Sequence, residues 1–305
     1  MRHVNIPVFI PHLGCPNQCV FCNQRSISEH QSFSEEGVRA GIEQVLSTLV
    51  PEDEAEIAFF GGSFTGIDRG LMCRLLDLVQ TYVKEGRVAS IRLSTRPDYI
   101  NAEILSILSR YSVKTIELGL QSMDDAVLLD CRRGHTAREA EVACRAVVAA
   151  GFSLVGQMMI GLPGATSESE MQTAQKICDL GASAVRIYPT VVFYDTPLCE
   201  MTQHGLYAPL SVKEAVERTA PVLQLFRARA PVHTRRTVRH RVPDLTRGGP
   251  GRTKPSRPWR DDPWGMSLPK TQRKGPAIGT GRAKDHFGGP PAGALRHRRS
   301  TPMQH

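Results

Sequence analysis

The chain has 305 residues, 41% hydrophobic and 22% charged, which is enough to bury a sizeable core in one large domain or two small ones. It has no run of about 18 apolar residues to span a bilayer, and its start, Met1-Arg-His-Val-Asn-Ile-Pro7, is too short and proline-broken for a signal peptide, so the expected address is the cytoplasm with no membrane partner. The formal charge of +8 points to nucleic acid only until it is located: residues 231–305 carry 17 Lys and Arg against 4 Asp and Glu, leaving the preceding body mildly acidic.

From Val4 to about Phe226, short β-rich apolar runs alternate with amphipathic helical stretches, the pattern of βαβ units around a parallel sheet. Six strands are predicted: Asn5 to Ile10, Glu56 to Phe60, Ser90 to Ser94, Lys114 to Gly119, Ser153 to Ile160 and Ala184 to Tyr188. Between the first two, Val38, Ile42, Val45, Leu46 and Leu49 fall on one helical face; Leu71, Leu75, Leu78, Val79 and Val83 repeat the pattern between the next two. Thr136 with Glu139, Ser167 with Glu170, and Ser211 with Glu214 fit capping boxes, and Gly86, Gly151 and Gly181 stand where helices should stop. Both an open doubly wound sheet and a curved barrel-like sheet fit this alternation, and in each the chemistry gathers at the carboxyl ends of the strands.

After about Arg227 the character changes. Pro and Gly make up 21 of the last 75 residues, most charges are Arg, and no apolar period survives. The division is therefore a folded core over 1–227 and a low-complexity segment over 228–305 that is expected to be disordered. That segment has three readings: a solvated tail, a nucleic-acid arm, or an altered reading frame.

The first strand runs into Pro11-His-Leu-Gly-Cys15-Pro-Asn-Gln-Cys19-Val-Phe-Cys22, three thiols on one short loop. Thiolates at such spacing select iron-sulfur clusters, zinc or Cu(I). Three ligands leave one iron of a cubane open, which makes a reactive centre instead of a sealed electron carrier. The competing readings are a structural zinc closed by His12, and three incidental buried cysteines.

Cys-x3-Cys-x-aromatic-Cys, with Phe21 as the aromatic, resembles the signature of the radical S-adenosylmethionine (SAM) superfamily. The resemblance implies a partial (β/α)6 TIM-like barrel. It also implies a 4Fe-4S cluster on Cys15, Cys19 and Cys22, with SAM chelating the open iron through its amino and carboxylate groups. The later strand ends fit the same family. Phe59-Phe-Gly61-Gly62-Ser63 resembles its Gly-Gly-Glu stretch near the methionine amino group, with Ser63 in place of the acid. In Ser94-Thr95-Arg96-Pro97-Asp98, Pro97 keeps Arg96 extended, and Ser94 and Arg96 resemble ribose and carboxylate contacts. Glu117, Gly119 and Gln121 share one strand face, where an inward polar side chain such as Gln121 needs a partner that a cofactor supplies. Arg132-Arg133-Gly134-His135 is suited to a substrate or cofactor carboxylate, or is solvated charge. Gly156-Gln157 through Gly161-Leu162-Pro163-Gly164 resembles the adenine-side motif.

Within the superfamily the cysteine loop and Ser-Thr-Arg-Pro-Asp are similar to the radical domain of the Elongator catalytic subunit, and Gly-x-Gln-Ser and Gly-Leu-Pro to oxygen-independent coproporphyrinogen dehydrogenases. The implied activity is reductive cleavage of SAM to a 5′-deoxyadenosyl radical that abstracts hydrogen from a substrate, with Gly61, Gly62, Ser94, Arg96, Gln121 and Gln157 as cofactor contacts. A flavodoxin- or ferredoxin-type protein would donate the electron. The substrate is not named by these motifs; RNA is one class compatible with them. The alternatives are a zinc-stabilised nucleic-acid-binding module and an inactive, truncated radical SAM remnant.

Overall fold

The computed structural model describes residues 2–10, 15, 19–22 and 33–229. Six strands, β1 (His3–Phe9), β2 (Glu54–Phe60), β3 (Ser90–Thr95), β4 (Val113–Gln121), β5 (Ser153–Ile160) and β6 (Ala184–Pro189), form one sheet in the order β1-β2-β3-β4-β5-β6. Every neighbouring pair is parallel, so each connection must cross back over the sheet. The crossovers contain α1 (Glu35–Leu46), α2 (Arg69–Lys84), α3 (Ala102–Leu108), α4 (Asp125–Asp130), α5 (Ala137–Ala149) and α6 (Ser167–Asp179). Two more helices, α7 (Pro197–Gln203) and α8 (Val212–Arg229), follow β6. This is the curled, partial TIM-like barrel that the resemblance implies, and all six strands lie where they were expected, with no end moved by more than two residues.

Residues in register across a parallel pair point to the same side, so alternate positions make two faces of opposite character. Ile6, Ile57, Leu93, Ile116, Leu118, Leu154 and Ile187 face outward and are buried against the helices. The outer face thus meets the apolar stripes of α1 and α2, where Ile42, Leu75, Leu76 and Val79 are buried. Asn5, Glu56, Arg92, Ser94, Glu117, Gln157 and Arg186 occupy the inner, concave face. The hydrophobic core therefore lies between sheet and helices, and the concave face is left for polar chemistry.

The helix ends explain their own boundaries. Thr136 and Glu139 form the reciprocal cap expected for α5, and Ser211 and Glu214 exchange hydrogen bonds of 2.8 and 3.3 Å at the start of α8. Gly86, Gly151 and Gly181 have the positive φ of C-terminal stops. One cap is corrected. At α6 the box is Thr166 with Ser169, one residue earlier than Ser167 with Glu170, because Glu170 is buried and accepts from the Gly161 N–H at 2.6 Å and from Arg218 of α8.

Helix α8 continues to Arg229, and the expected low-complexity segment over 228–305 lies, but for its first two residues, outside the described residues, as does His12. Among the described residues no helix is long and apolar enough to cross a membrane.

Gly156, on the outer side of β5, lets α6 approach closely: a Cβ there would stand 2.7 Å from Cγ2 of Ile177. Gly156→Ala is expected to lower stability in urea unfolding by about 1–3 kcal/mol. Ile177→Ala in the same chain should recover part of that loss in a double-mutant cycle; strict additivity would show that the two positions do not press on each other.

Candidate functional site

The site is built at the carboxyl ends of the strands. Of the cysteine loop, residues 19–22 are anchored through the backbone: Val20 N–H donates to Cys131 O at 3.2 Å, Leu198 N–H to Val20 O at 2.9 Å, and Cys22 N–H to Cys19 O at 3.0 Å. Val20, Val127, Cys131, Leu162 and Leu198 make a second, smaller core beneath it, with Phe21 and Met201 packed alongside. The loop is thereby fixed to the ends of α4 and β5 and to α7. Cys19 is buried, and Cys15 and Cys22 are half-buried.

Two guanidiniums converge on the Cys19 sulfur. Arg133 Nη1 lies 3.1 Å from Sγ and Arg96 Nη1 3.8 Å. Arg133 also donates to Gly119 O and lies over the Phe21 ring, 6.0 Å from its centroid. Arg96 is extended before Pro97, as expected, and its fork grips Asp98 through two bonds of 2.9 Å while donating to Arg133 O. Burial works against the Arg96 charge, but the Asp98 carboxylate and the Cys19 and Cys15 sulfurs outweigh it and hold the pKa above its ordinary value. The Arg96 fork, expected to donate to a cofactor carboxylate, donates here to that of Asp98.

The other predicted contacts divide between the rim and the deeper concave face. At the rim, Gly61 has φ +97°, and a Cβ would meet the Phe9 ring at 2.6 Å, so only glycine makes this turn. Gly62 follows it, half-buried. Gln121 ends β4 after a register shift, with φ +66°, and its Oε1 is buried with no hydrogen-bond partner among the described residues. An orphaned acceptor in a strained residue at a strand end fits a bound group.

Deeper, Gln157 Nε2 reaches Ser94 Oγ at 3.2 Å and Glu117 Oε2 at 2.8 Å. Both side chains are thus tied into a network that composition and periodicity did not disclose. Glu117, fully buried, accepts from Arg92 at 2.8 Å and from Arg186 at 2.9 and 2.7 Å. Arg92 also binds Glu56 at 2.7 Å, which accepts from Ser90 and pairs with His3 at 3.3 Å. Arg186 lies over the Phe60 ring, 5.4 Å from its centroid. The available signal was a charged residue at an inward position of an otherwise apolar strand, as in Ser90-Ile-Arg92-Leu.

His135 is buried, and its Nε2 has no partner among the described residues. Burial, then the Arg133 charge, pushes its pKa down to about 4. Burial holds the Cys131 and Cys144 thiols up at about 12, so these two pack as neutral groups. Among the described residues no three His, Cys, Asp or Glu side chains are already gathered at metal-binding distance.

The family model for the radical SAM superfamily matches residues 9–177, and that for the radical SAM C-terminal domain matches 182–255. The chain belongs to the radical SAM superfamily. The second match crosses the boundary expected at 227. A tRNA uridine(34) acetyltransferase of Methanocaldococcus jannaschii is 27% identical over 199 residues, 59% of this chain and 37% of that protein. Elongator complex protein 3 of Saccharomyces cerevisiae is 26% identical over 210 residues, 62% and 38%. The chain thus spans little more than a third of the length of these relatives. An uncharacterised protein of M. jannaschii is 30% identical over 231 residues, 72% and 70%. In fold the chain is similar to the Elp3 of Methanocaldococcus infernus (TM-score 0.58, 23% identity, 72% of this chain and 53% of that one) and to coproporphyrinogen III oxidase of Escherichia coli (0.52, 17%, 74% and 52%).

Radical SAM chemistry requires a 4Fe-4S cluster and SAM, and the donor set fits both. Three thiols share the loop, positive charge is stationed at one of their sulfurs, and the Gln121 acceptor has no partner among the described residues.

Two outcomes test this arrangement. Glu117→Ala would strand Arg92 and Arg186, and urea unfolding should show a loss of about 3–5 kcal/mol, with Glu117→Gln losing less. The folded pKa of His135 is depressed below the ordinary 6.5, so between about pH 6.5 and 4 the unfolded chain binds the extra proton and stability falls on acidification. The total is about 3 kcal/mol. His135→Gln should flatten that part of the stability-pH curve; an unchanged slope would show that His135 is not the group responsible.

Proposed function

We propose that the chain is a radical SAM enzyme in which Cys15, Cys19 and Cys22 ligate a 4Fe-4S cluster, and Gly61, Gly62, Ser94, Arg96, Gln121 and Gln157 form the surroundings of SAM. When bound, and given one electron from a flavodoxin- or ferredoxin-type donor, these groups supply a 5′-deoxyadenosyl radical that takes hydrogen from the substrate. The observation that best supports the reading is the convergence of the cysteine loop, two buried arginines and the orphaned Gln121 acceptor on one end of the sheet.

The chain's own residues have distinct tasks. Arg96 and Arg133 set positive charge at the Cys19 sulfur. Gly61 keeps the β2 turn tight against Phe9. Gln121 offers an acceptor, and Glu117 holds the amide of Gln157 against Ser94, so that both are oriented before anything binds. The sheet and the small core beneath the loop exclude water from one side.

Residues 1–227 are taken as the catalytic core, 228–305 as a basic appendage, and the cytoplasm as the working compartment. An RNA substrate is supported by the relatives alone, since the protein similar over 59% of this chain is named for uridine 34 of tRNA.

The test is anaerobic reconstitution with iron and sulfide, then dithionite and SAM, with 5′-deoxyadenosine as the readout. Wild type should turn brown and release 5′-deoxyadenosine, and Cys19→Ala should do neither. A colourless protein holding one zinc would overturn the reading in favour of a zinc-stabilised module. A cluster that forms without SAM cleavage would favour an inactive remnant.

A further inference from the structure

The geometry points to Arg133 as the residue that sets how readily the cluster on Cys15, Cys19 and Cys22 takes up an electron, acting through a hydrogen bond to the Cys19 sulfur. This rests on the cluster reading above. Arg133 is 5% exposed, and both ends of its guanidinium are directed: Nη1 to Cys19 Sγ at 3.1 Å, Nη2 to Gly119 O. Gly119 lies against it: a Cβ there would be in ordinary contact with Nη2, at 3.6 Å, and would crowd the Gln121 amide, at 3.0 Å.

The backbone is built to aim this side chain. Helix α4 ends in a paired stop, with Arg133 N–H donating to Leu128 O and Arg132 N–H to Leu129 O, both at 2.9 Å. The residue in the left-handed position is Arg132, φ +52°, where glycine is usual. A non-glycine residue there is strained and persists only where its surroundings hold it. The turn sends Arg132 to solvent and Arg133 into the site.

Adding one electron adds one negative charge; no bond breaks, and no proton need move. Hydrogen bonds and positive charge at cluster sulfurs favour the more negative, reduced state. At a buried sulfur this effect is little screened by salt. Arg96, at 3.8 Å and committed to Asp98, contributes less.

The experiment is an electron-paramagnetic-resonance redox titration of the anaerobically reconstituted protein without SAM, so that any contact of Arg133 with a cofactor carboxylate is absent. For Arg133→Gln the ratio of reduced to oxidised cluster at a fixed poise should fall about tenfold, equivalent to about 59 mV for one electron. Arg133→Lys should fall between that variant and wild type. Arg132→Gly removes an exposed charge one residue away and should stay within about twofold of wild type. Equal ratios for Arg133→Gln and wild type, at equal iron content, would overturn the proposal. If Arg133→Gln takes up no iron, wild type labelled with 15N-arginine decides: a 15N hyperfine coupling to the reduced cluster is expected, and its absence overturns the proposal. A wild type that binds no iron at all would instead overturn the cluster reading itself.

Discussion

Glu117 has no contact with solvent and is met by guanidiniums from both sides, Arg92 on β3 and Arg186 on β6. The concave face of the sheet depends on that arrangement. An open, curled sheet cannot fill its inner side with apolar packing, so it carries charge, and charge withdrawn from water is tolerated only when paired and hydrogen-bonded. From Glu117 the network runs through Arg92 to Glu56 and through Gln157 to Ser94, linking strands β2 to β6. Most of the apolar packing lies on the other face, against the helices. This division of labour leaves an ordered polar floor beneath the carboxyl ends of the strands.

Above that floor the rim is where the backbone departs from its preferred conformations. The three non-glycine residues with positive φ among those described, Gln121, Arg132 and Asp195, fall at the end of β4, just after α4 and just before α7. Each re-aims the chain at the boundary of an element instead of within one. Two lead directly to features of the site: the unpartnered amide oxygen of Gln121, and the reversal that brings Arg133 to Cys19. Strain gathered there, and absent from the strand interiors, is what a site shaped for a ligand would retain.

Much of this was legible in the sequence because it is local. Six strands and the buried faces of α1 and α2 follow from apolar period, and the α5 cap from Thr136 and Glu139, three residues apart. The α6 cap was misplaced by one residue because Glu170, which completes the pattern on paper, is claimed by Gly161 and by Arg218, 48 residues away. The ionic floor is long-range in the same sense: the partners of Glu117 lie 25 and 69 residues away. Strand register, which no local pattern specifies, is what joins them. Arg96, read as a carboxylate contact, also holds Asp98, two residues on, brought round by the turn at Pro97, a pairing that the motif did not disclose.

The central claim is that the cysteine loop and the strand-end residues make one site, in which SAM meets a cluster held by three cysteines. The most direct measurement is the Mössbauer spectrum of protein reconstituted anaerobically with 57Fe, recorded before and after SAM is added. The account predicts a 4Fe-4S spectrum in which SAM shifts the signal of one iron in four. A spectrum of four equivalent irons unchanged by SAM, at SAM concentrations that saturate binding, would contradict it.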